Sequence, residues 1–339
     1  MANISMKMLA KELKLSVSTV SKVFTDSHEI SEQTKQKVLA LAKKLNYVPN
    51  PYASSLRKRQ SKTIAVVLPE VADSFFSVAI NGIESVAREK GYHVLIYLTH
   101  ERLEREQAIL TDFQSGRVDG VLISVSNETT SDGHITEMMQ RGIPVVYFDR
   151  VCEETATTRI TTNDKESGFL AAQHLIEQGC KRIAYLTISK SLSISRNRLM
   201  GCRQALAAHQ LPFRESDLVL CTDDEAENYA IIKALLEKKN GPDGIIASVE
   251  KLTAAVYLAC KELKVTIPGK VKVVSFSNQS TAPILNPSLT TITQPAFEMG
   301  KMAAAVLFNS LKKSQLQLKS ETIVVPSVLI ARESTTGKI

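Results

Sequence analysis

The sequence predicts an α/β protein: an N-terminal all-α helix-turn-helix head, then a bilobed body built on doubly wound parallel sheets. Three observations predict it. Apolar residues recur at helical spacing through the first 45 positions, from Ser61 onward short apolar runs alternate with amphipathic segments, and the charge imbalance sits entirely in the head. The chain has 42 Lys+Arg against 35 Asp+Glu, a net of +7. Residues 1–61 hold eleven of the basic and four of the acidic groups, so the rest of the chain is neutral. A cationic module on a neutral globule is the footprint of a protein that grips phosphates with one end and something else with the other.

In the head, Ser5 offers a cap to a first helix carrying Met8, Leu9 and Leu13. Leu15 and a short turn lead to Ser16, whose hydroxyl can cap a second helix with Val20, Val23 and Phe24 on its apolar face. Between those positions lie Val17, Ser18, Ser21 and Lys22, small or cationic side chains that let a helix backbone approach a polyanion while short groups reach base edges in a major groove. Ser31 opens a third helix, Glu32 to Leu45, with Val38, Leu41, Ala42 and Leu45 on one face and Lys35, Lys37, Lys43 and Lys44 mostly elsewhere. Glu32 in its first turn and lysines in its last suit the helix dipole.

Pro49 and Pro51 interrupt that pattern. Asn50 as cap and Pro51 at the first helical position then start about two turns over Tyr52–Arg57, too short to hold alone in water and so conditional on a partner or DNA. Leu56, beside Arg57, Lys58 and Arg59, is either an apolar wedge between base steps or a packing residue against the next domain.

The body reads as strands at Ile64–Leu68, Val94–Leu98, Val121–Val125 and Val145–Phe148, alternating with helices near 75–89, 102–114 and 134–141. Gly91, Gly116 and Gly142 fall where left-handed C-terminal caps belong. A second set follows: strands at Ile183–Leu186, Leu218–Leu220, Gly244–Ala247 and Val271–Phe276, helices near 165–178, 196–209, 225–238 and 250–263. Two such sheets imply a ligand crevice between lobes, at the carboxyl ends of the strands. Residues 287–295 cross back to a late helix, 296–312, and a last strand pair around Ile323–Val325 and Val328–Ala331.

Other classes are excluded on composition and motif. The start lacks a signal-peptide core and no run approaches a membrane span, so a cytoplasmic, nucleoid-associated protein is expected. Five scattered cysteines and six histidines show no metal-ligand spacing, so no metal and no cofactor are expected. There is no Gly-x-Ser-x-Gly elbow, Walker loop or Gly-x-Gly-x-x-Gly after a strand, which argues against an enzyme.

The run Leu9-Ala10, Leu15 to Val23, Ile30-Ser31, Thr34, Leu45 to Asn50, Ala53 and Leu56 resembles the DNA-binding and hinge signature of the lac repressor/galactose repressor family of bacterial regulators. Gly91-Tyr92, Val118-Asp119-Gly120, Ile143 to Val146, Gly168, His174-Leu175, Arg198 to Gly201 and Leu289 to Pro295 resemble that family's sensor. The resemblance spans nearly the whole chain. It implies a homodimer on a pseudo-palindromic double-stranded DNA operator, a hinge helix that inserts Leu56 at the operator centre, and a sensor like the type I periplasmic binding proteins. The expected domains are 1–48 (head), 49–61 (hinge) and 62–339 (sensor), with lobe 1 near 62–162 plus 293–322 and lobe 2 near 163–290 plus 323–339.

By role, Val17, Ser18 and Lys22 are expected at bases, Val17 against a thymine methyl, while Ser16, Thr19, Ser21, Thr34 and Asn50 donate to phosphates. Thr19 equally suits a structural place in the turn, and Ala53 belongs with Leu56 in the hinge. For a small polar effector, sugar-like, the expected contacts are Arg198, whose planar fork suits a hydroxyl or carboxylate, with Asp73, Phe75, Ser167, Asp223, Glu250, Ser277 and Asn278. The chain departs from its sugar-sensing relatives in two places. Val249-Glu250 stands where they carry Asn-Asp, and Ser275-Phe276-Ser277-Asn278 where they carry Gly-Phe-Asp-Asp, so the usual acidic anchor is expected to be missing. That departure leaves an alternative, gating by a partner protein such as a phosphocarrier. The C-terminal residues 331–339 hold no leucine heptad, so a dimer is expected and not a coiled-coil tetramer.

Overall fold

The head packs Leu9, Ala10, Val20, Val23, Val38 and Ala42 into one small core. Its helices are α1 (Met6–Glu12), α2 (Val17–Phe24) and α3 (Glu32–Lys44). The computed structural model describes residues 4–24, 28–47, 60–312 and 318–336, and the chain separates into two units, residues 1–61 and 62–339. The hinge, with Asn50, Ala53 and Leu56, lies outside the described residues.

Both head turns close in the same way. Lys14 and Asn46 take left-handed backbone (φ 52° and 50°) two residues past the helix ends. The next amide, of Leu15 or Tyr47, then reaches back to the carbonyl of Ala10 or Ala42 at 2.9 and 2.8 Å. At the other helix ends, the Ser16 hydroxyl accepts from the Thr19 amide at 3.0 Å and Ser31 from the Thr34 amide. Ser5 makes no such side-chain bond, so α1 starts without the expected cap. Lys35 turns inward, its ammonium held by Glu32 at 2.8 Å.

The body contains two six-stranded sheets. The first runs β11-β5-β4-β3-β1-β2 and the second β12-β10-β9-β8-β6-β7. First-sheet strands are β1 (Thr63–Leu68), β2 (His93–Leu98), β3 (Gly120–Ile123), β4 (Val145–Phe148), β5 (Arg159–Thr161) and β11 (Thr322–Val324). The second comprises β6 (Ile183–Thr187), β7 (Leu218–Leu220), β8 (Gly244–Ala247), β9 (Lys272–Phe276), β10 (Thr290–Thr293) and β12 (Val328–Ile330). Pairing is parallel except between β10 and β12. Along β1 every residue is buried, because alternate side chains serve different cores: Ile64, Val66 and Leu68 on one face, Ala65 and Val67 on the other. Burying each large apolar side chain contributes about 1.5–3 kcal/mol.

Helices α4 (Ser74–Glu89) and α11 (Ala296–Lys312) cover one face of the first sheet, α5 (Leu103–Phe113) and α6 (Gly133–Gln140) the other. Around the second sheet lie α7 (Asp164–Glu177) and α8 (Ser193–Ala208) on one side, α9 (Glu225–Leu236) and α10 (Leu252–Glu262) on the other. A short α12 (Glu333–Thr336) ends the described chain, pinned by a 2.8 Å bond between His174 and Thr335. The caps at Gly91 and Gly116 have φ of 69° and 80°, the left-handed backbone the sequence calls for there.

The chain passes between sheets three times, after β5, after β10 and after β11. Two strands differ from the sequence reading. β5 and β10 are short and rich in threonine, with too little apolar patterning to stand out. Ile323 and Val324 extend the first sheet through β5 and do not join the second, so the final crossing falls at residues 325–327. Asn163, at the first crossing, accepts from the Ser327 amide at 2.8 Å, which ties two of the three crossings together.

Candidate effector crevice and nucleic-acid interface

The crevice forms where strands of both sheets end. β1 leads to Asp73, β4 runs directly into Asp149 and Arg150, β8 into Ser248, Val249 and Glu250, and β9 into Ser277 and Asn278. Asp73 caps α4 by accepting from the Phe75 amide at 2.9 Å, which presents Phe75 and Phe76 at the helix start. Those rings meet edge to face at 5.4 Å, belong to the first-lobe core and also line the crevice.

Arg198 enters from α8. Gly168 and Gly201 let α7 and α8 cross so closely that a Cβ on either would lie about 2 Å from a backbone oxygen of the other helix. The Arg198 side chain, 2% exposed, donates to Asp164 at 2.7 Å and to the Ser248 carbonyl at 2.6 Å, and lies 4.2 Å over the Phe276 ring. Its Nη2 has no hydrogen-bond partner among the described residues. Arg150, also buried, donates from Nη1 to both Glu101 oxygens at 2.9 Å, and its Nε makes no hydrogen bond among the described residues, lying 4.0 Å from Asp149. Two buried guanidiniums with donors to spare are costly unless another group takes those donors up.

The carboxylates answer each other. Burial pushes Asp73 up to about 7, with the Glu250 charge adding to the effect. Asp149 is pushed up by burial, against the pull of Arg198 and Arg150. Burial alone would lower Arg150, yet Glu101 and Asp149 hold it above its ordinary range. Glu250 reaches across the crevice: it accepts from the Ser74 amide at 3.0 Å and the Ser74 hydroxyl at 2.5 Å in the first lobe, and from Ser277 Oγ at 2.9 Å and the Asn278 amide at 2.8 Å in the second. Gln294, at the second crossing, donates to Asp149 at 3.4 Å. The free space left among these groups is about 20 Å³, room for roughly one water. A larger guest requires the lobes to part.

Of the residues expected at the effector, Asp73, Phe75, Arg198, Glu250, Ser277 and Asn278 come together here. Ser167 does not. Its hydroxyl donates to Asn163 at 3.1 Å, because its place on α7 faces the crossing and not the crevice. Asp223 lies at the outer mouth, paired with Lys251. The reading also missed Asp149, Arg150 and Gln294. The first two sit just beyond an apolar run, the same signal that picked out Glu250. Position 277, where the usual acidic anchor was expected to be missing, is a serine, and the acids that line the crevice are Asp73, Asp149 and Glu250.

In the head, Ser16, Val17 and Ser18 are exposed at the start of α2, Val17 at 43%, while Val20 and Val23 face inward. The Ser16 hydroxyl contacts those of Ser18 and Thr19 at 2.7 and 2.8 Å as well as capping the helix. Thr19, Ser21, Lys22 and Thr34 are half-buried, and Lys22 pairs with Glu29. Thr34 bonds to Ser31 at 2.9 Å.

Residues 5–50 match the description "Bacterial regulatory proteins, lacI family", and residues 172–335 match "Periplasmic binding protein-like domain". The ribose operon repressor of Halalkalibacterium halodurans is 31% identical over 332 residues, 97% of this chain and 96% of that one. Among solved structures, a LacI family regulator from Enterococcus faecium with bound ribose is 25% identical, with a TM-score of 0.71 over 82% of this chain and all of the other. The lac repressor dimer bound to operator and an anti-inducer shares the fold, with 22% identity and a TM-score of 0.84 over 98% of this chain and 99% of that one.

Proposed function

The chain belongs to the lacI family of bacterial regulatory proteins and is a DNA-binding transcription regulator; from that premise we propose that it represses as a homodimer on a pseudo-palindromic operator and is gated by a small polyhydroxylated effector of the pentose class. The observation that carries the effector reading is the pair of buried guanidiniums, each with an unused donor, converging with three carboxylates and the faces of Phe75, Phe76 and Phe276. Hydroxyl groups satisfy both kinds of partner at once, as donors to the acids and acceptors from the arginines, while a ring face packs on the aromatics. A relative named for the ribose operon and a ribose-bound neighbour support the same class. Gating by a partner protein gains no support from these relatives.

In the head, the exposure of Val17 and Ser18 supports base contact, with Lys22 joining them once it exchanges Glu29 for DNA. Ser16 and Thr34, already used within the head, contribute to phosphates only secondarily. The hinge assigned to residues 49–61 and its wedge Leu56 rest on the sequence resemblance. The exposed apolar side chains Leu95, Ile96, Leu258 and Ile284 are available to bury against a second copy. Such a protein works in the cytoplasm, at the nucleoid.

Calorimetric titration of the full chain with D-ribose, D-glucose and hypoxanthine tests the effector reading: D-ribose is expected to bind at micromolar affinity, and binding of hypoxanthine alone overturns it. Footprinting on random duplex selected through several rounds tests the rest. A protected site with twofold symmetry is expected, and protection without symmetry contradicts the dimer.

A further inference from the structure

The crevice holds more carboxyl groups than cations. Arg150 is taken up by Glu101 and Arg198 by Asp164, so Asp73, Asp149 and Glu250 share two guanidiniums that already have carboxylate partners of their own. Glu250 is the most exactingly placed of the three, with donors from both lobes on its two oxygens. Oε2 takes three of them and Oε1 only the Ser74 amide, which leaves Oε1 with accepting capacity for a hydroxyl.

The sequence departure at positions 249–250 and 275–278 gains a physical meaning here. Ser277, on the loop after β9, donates to Glu250, on the loop after β8. Glutamate is one methylene longer than aspartate, and that reach brings its carboxylate beside position 277.

We propose that Glu250 is the specificity-determining residue of the crevice, admitting uncharged polyols and rejecting their phosphate and carboxylate counterparts. The proposal rests on the sugar-effector reading and deepens it. An anionic guest meets the Glu250 carboxylate at close range in a low-dielectric space where both guanidiniums already have carboxylate partners. Arg198 already gives Nε to Asp164 and an Nη1 proton to the Ser248 carbonyl, so an anion seeking the two-pronged bond by which a guanidinium ordinarily captures a carboxylate or phosphate competes with those partners.

The test is calorimetry on the full chain with D-ribose and D-ribose 5-phosphate as probes, for the wild type, E250Q and the double variant E250Q/S277D. The wild type is expected to bind the phosphate ester at least 100-fold more weakly than the sugar. E250Q should narrow that ratio about tenfold, and S277D should restore it by returning the charge to its neighbouring loop. Circular dichroism melts establish that each variant is folded, and the wild-type ratio stands independently of both. Phosphate-ester binding within tenfold of the sugar in the wild type, or a ratio unmoved by E250Q, overturns the proposal while leaving the sugar reading intact. Failure of the wild type to bind either probe removes that reading and this proposal with it.

Discussion

Each lobe is held by one glycine-paired helix crossing, and the two crossings do different things. In the first lobe Gly82 of α4 meets α11, and Gly300 of α11 meets α4; a Cβ at either would lie 2.1 Å from a carbonyl oxygen opposite. In the second lobe Gly168 and Gly201 do the same for α7 and α8. The second crossing lies within about a turn of Asp164 and Arg198, whose 2.7 Å bond it sets. The first is two turns away from Ser74, the nearest residue of α4 that reaches Glu250. Similar packing is therefore coupled closely to ligand chemistry in one lobe and loosely in the other.

The sharpest way to break this comparison is to remove Arg198. Arg198→Ala strands Asp164 without its cation and leaves Asp149 with Arg150 alone, and such losses from buried pairs cost about 3–5 kcal/mol. Urea denaturation should register that loss, together with the absence of sugar binding. Gly201→Ala and Gly82→Ala come next, each expected to cost about 1–3 kcal/mol through overpacking. Only Gly201→Ala should also weaken the sugar, by tenfold or more; equal affinities in the two variants would show that the crossings are equivalent after all.

The lobes also differ in the sign of their response to pH. Asp73 has its folded pKa raised from 3.8 to about 7, mainly by burial, so the folded state holds its proton longer than the unfolded chain. Its contribution is fully present below pH 4 and is lost as pH rises through 7. Burial lowers His174 in the second lobe from 6.5, so the folded state favours the neutral ring and loses stability as pH falls below that value. Thermal melts from pH 5 to 8 should show the rising-pH loss flattened in Asp73→Asn, and the acid-side loss flattened in His174→Asn. The smallest effect belongs to neither lobe: Ser31→Ala, which removes the α3 cap, should cost the head about 1 kcal/mol and leave the melting of the sensor unchanged in calorimetry.

How far the sequence disclosed all this depends on the length and polarity of each signal. Runs such as Ile64–Leu68 are uniformly apolar and bounded by turns, so the strands could be read from them. Arg159–Thr161 and Thr290–Thr293 carry one isoleucine each, and their strand character comes from neighbours distant in sequence. The same holds at the site. Glu250, Ser277 and Asn278 lie just past strand ends; Glu250 was legible by position, Ser277 and Asn278 through the family resemblance. Asp149 and Arg150 obey that rule as well, but Arg150 finds Glu101 and Asp149 finds Gln294 only through long-range packing, 49 and 145 residues away. Ser167 failed for the converse reason: its helix is right, but rotation about the helix axis, fixed by the Gly168 contact, turns it toward Asn163.

The threefold passage of the chain between sheets bears on synthesis at the ribosome. α11 and β11, which complete the first lobe, emerge only after the whole of β6 to β10 has been made. At bacterial elongation rates that interval is on the order of ten seconds. Through it Ile64, Leu122 and Val146 lack the helix that shelters them in the finished protein, and a message truncated before codon 296 yields a first lobe that cannot close.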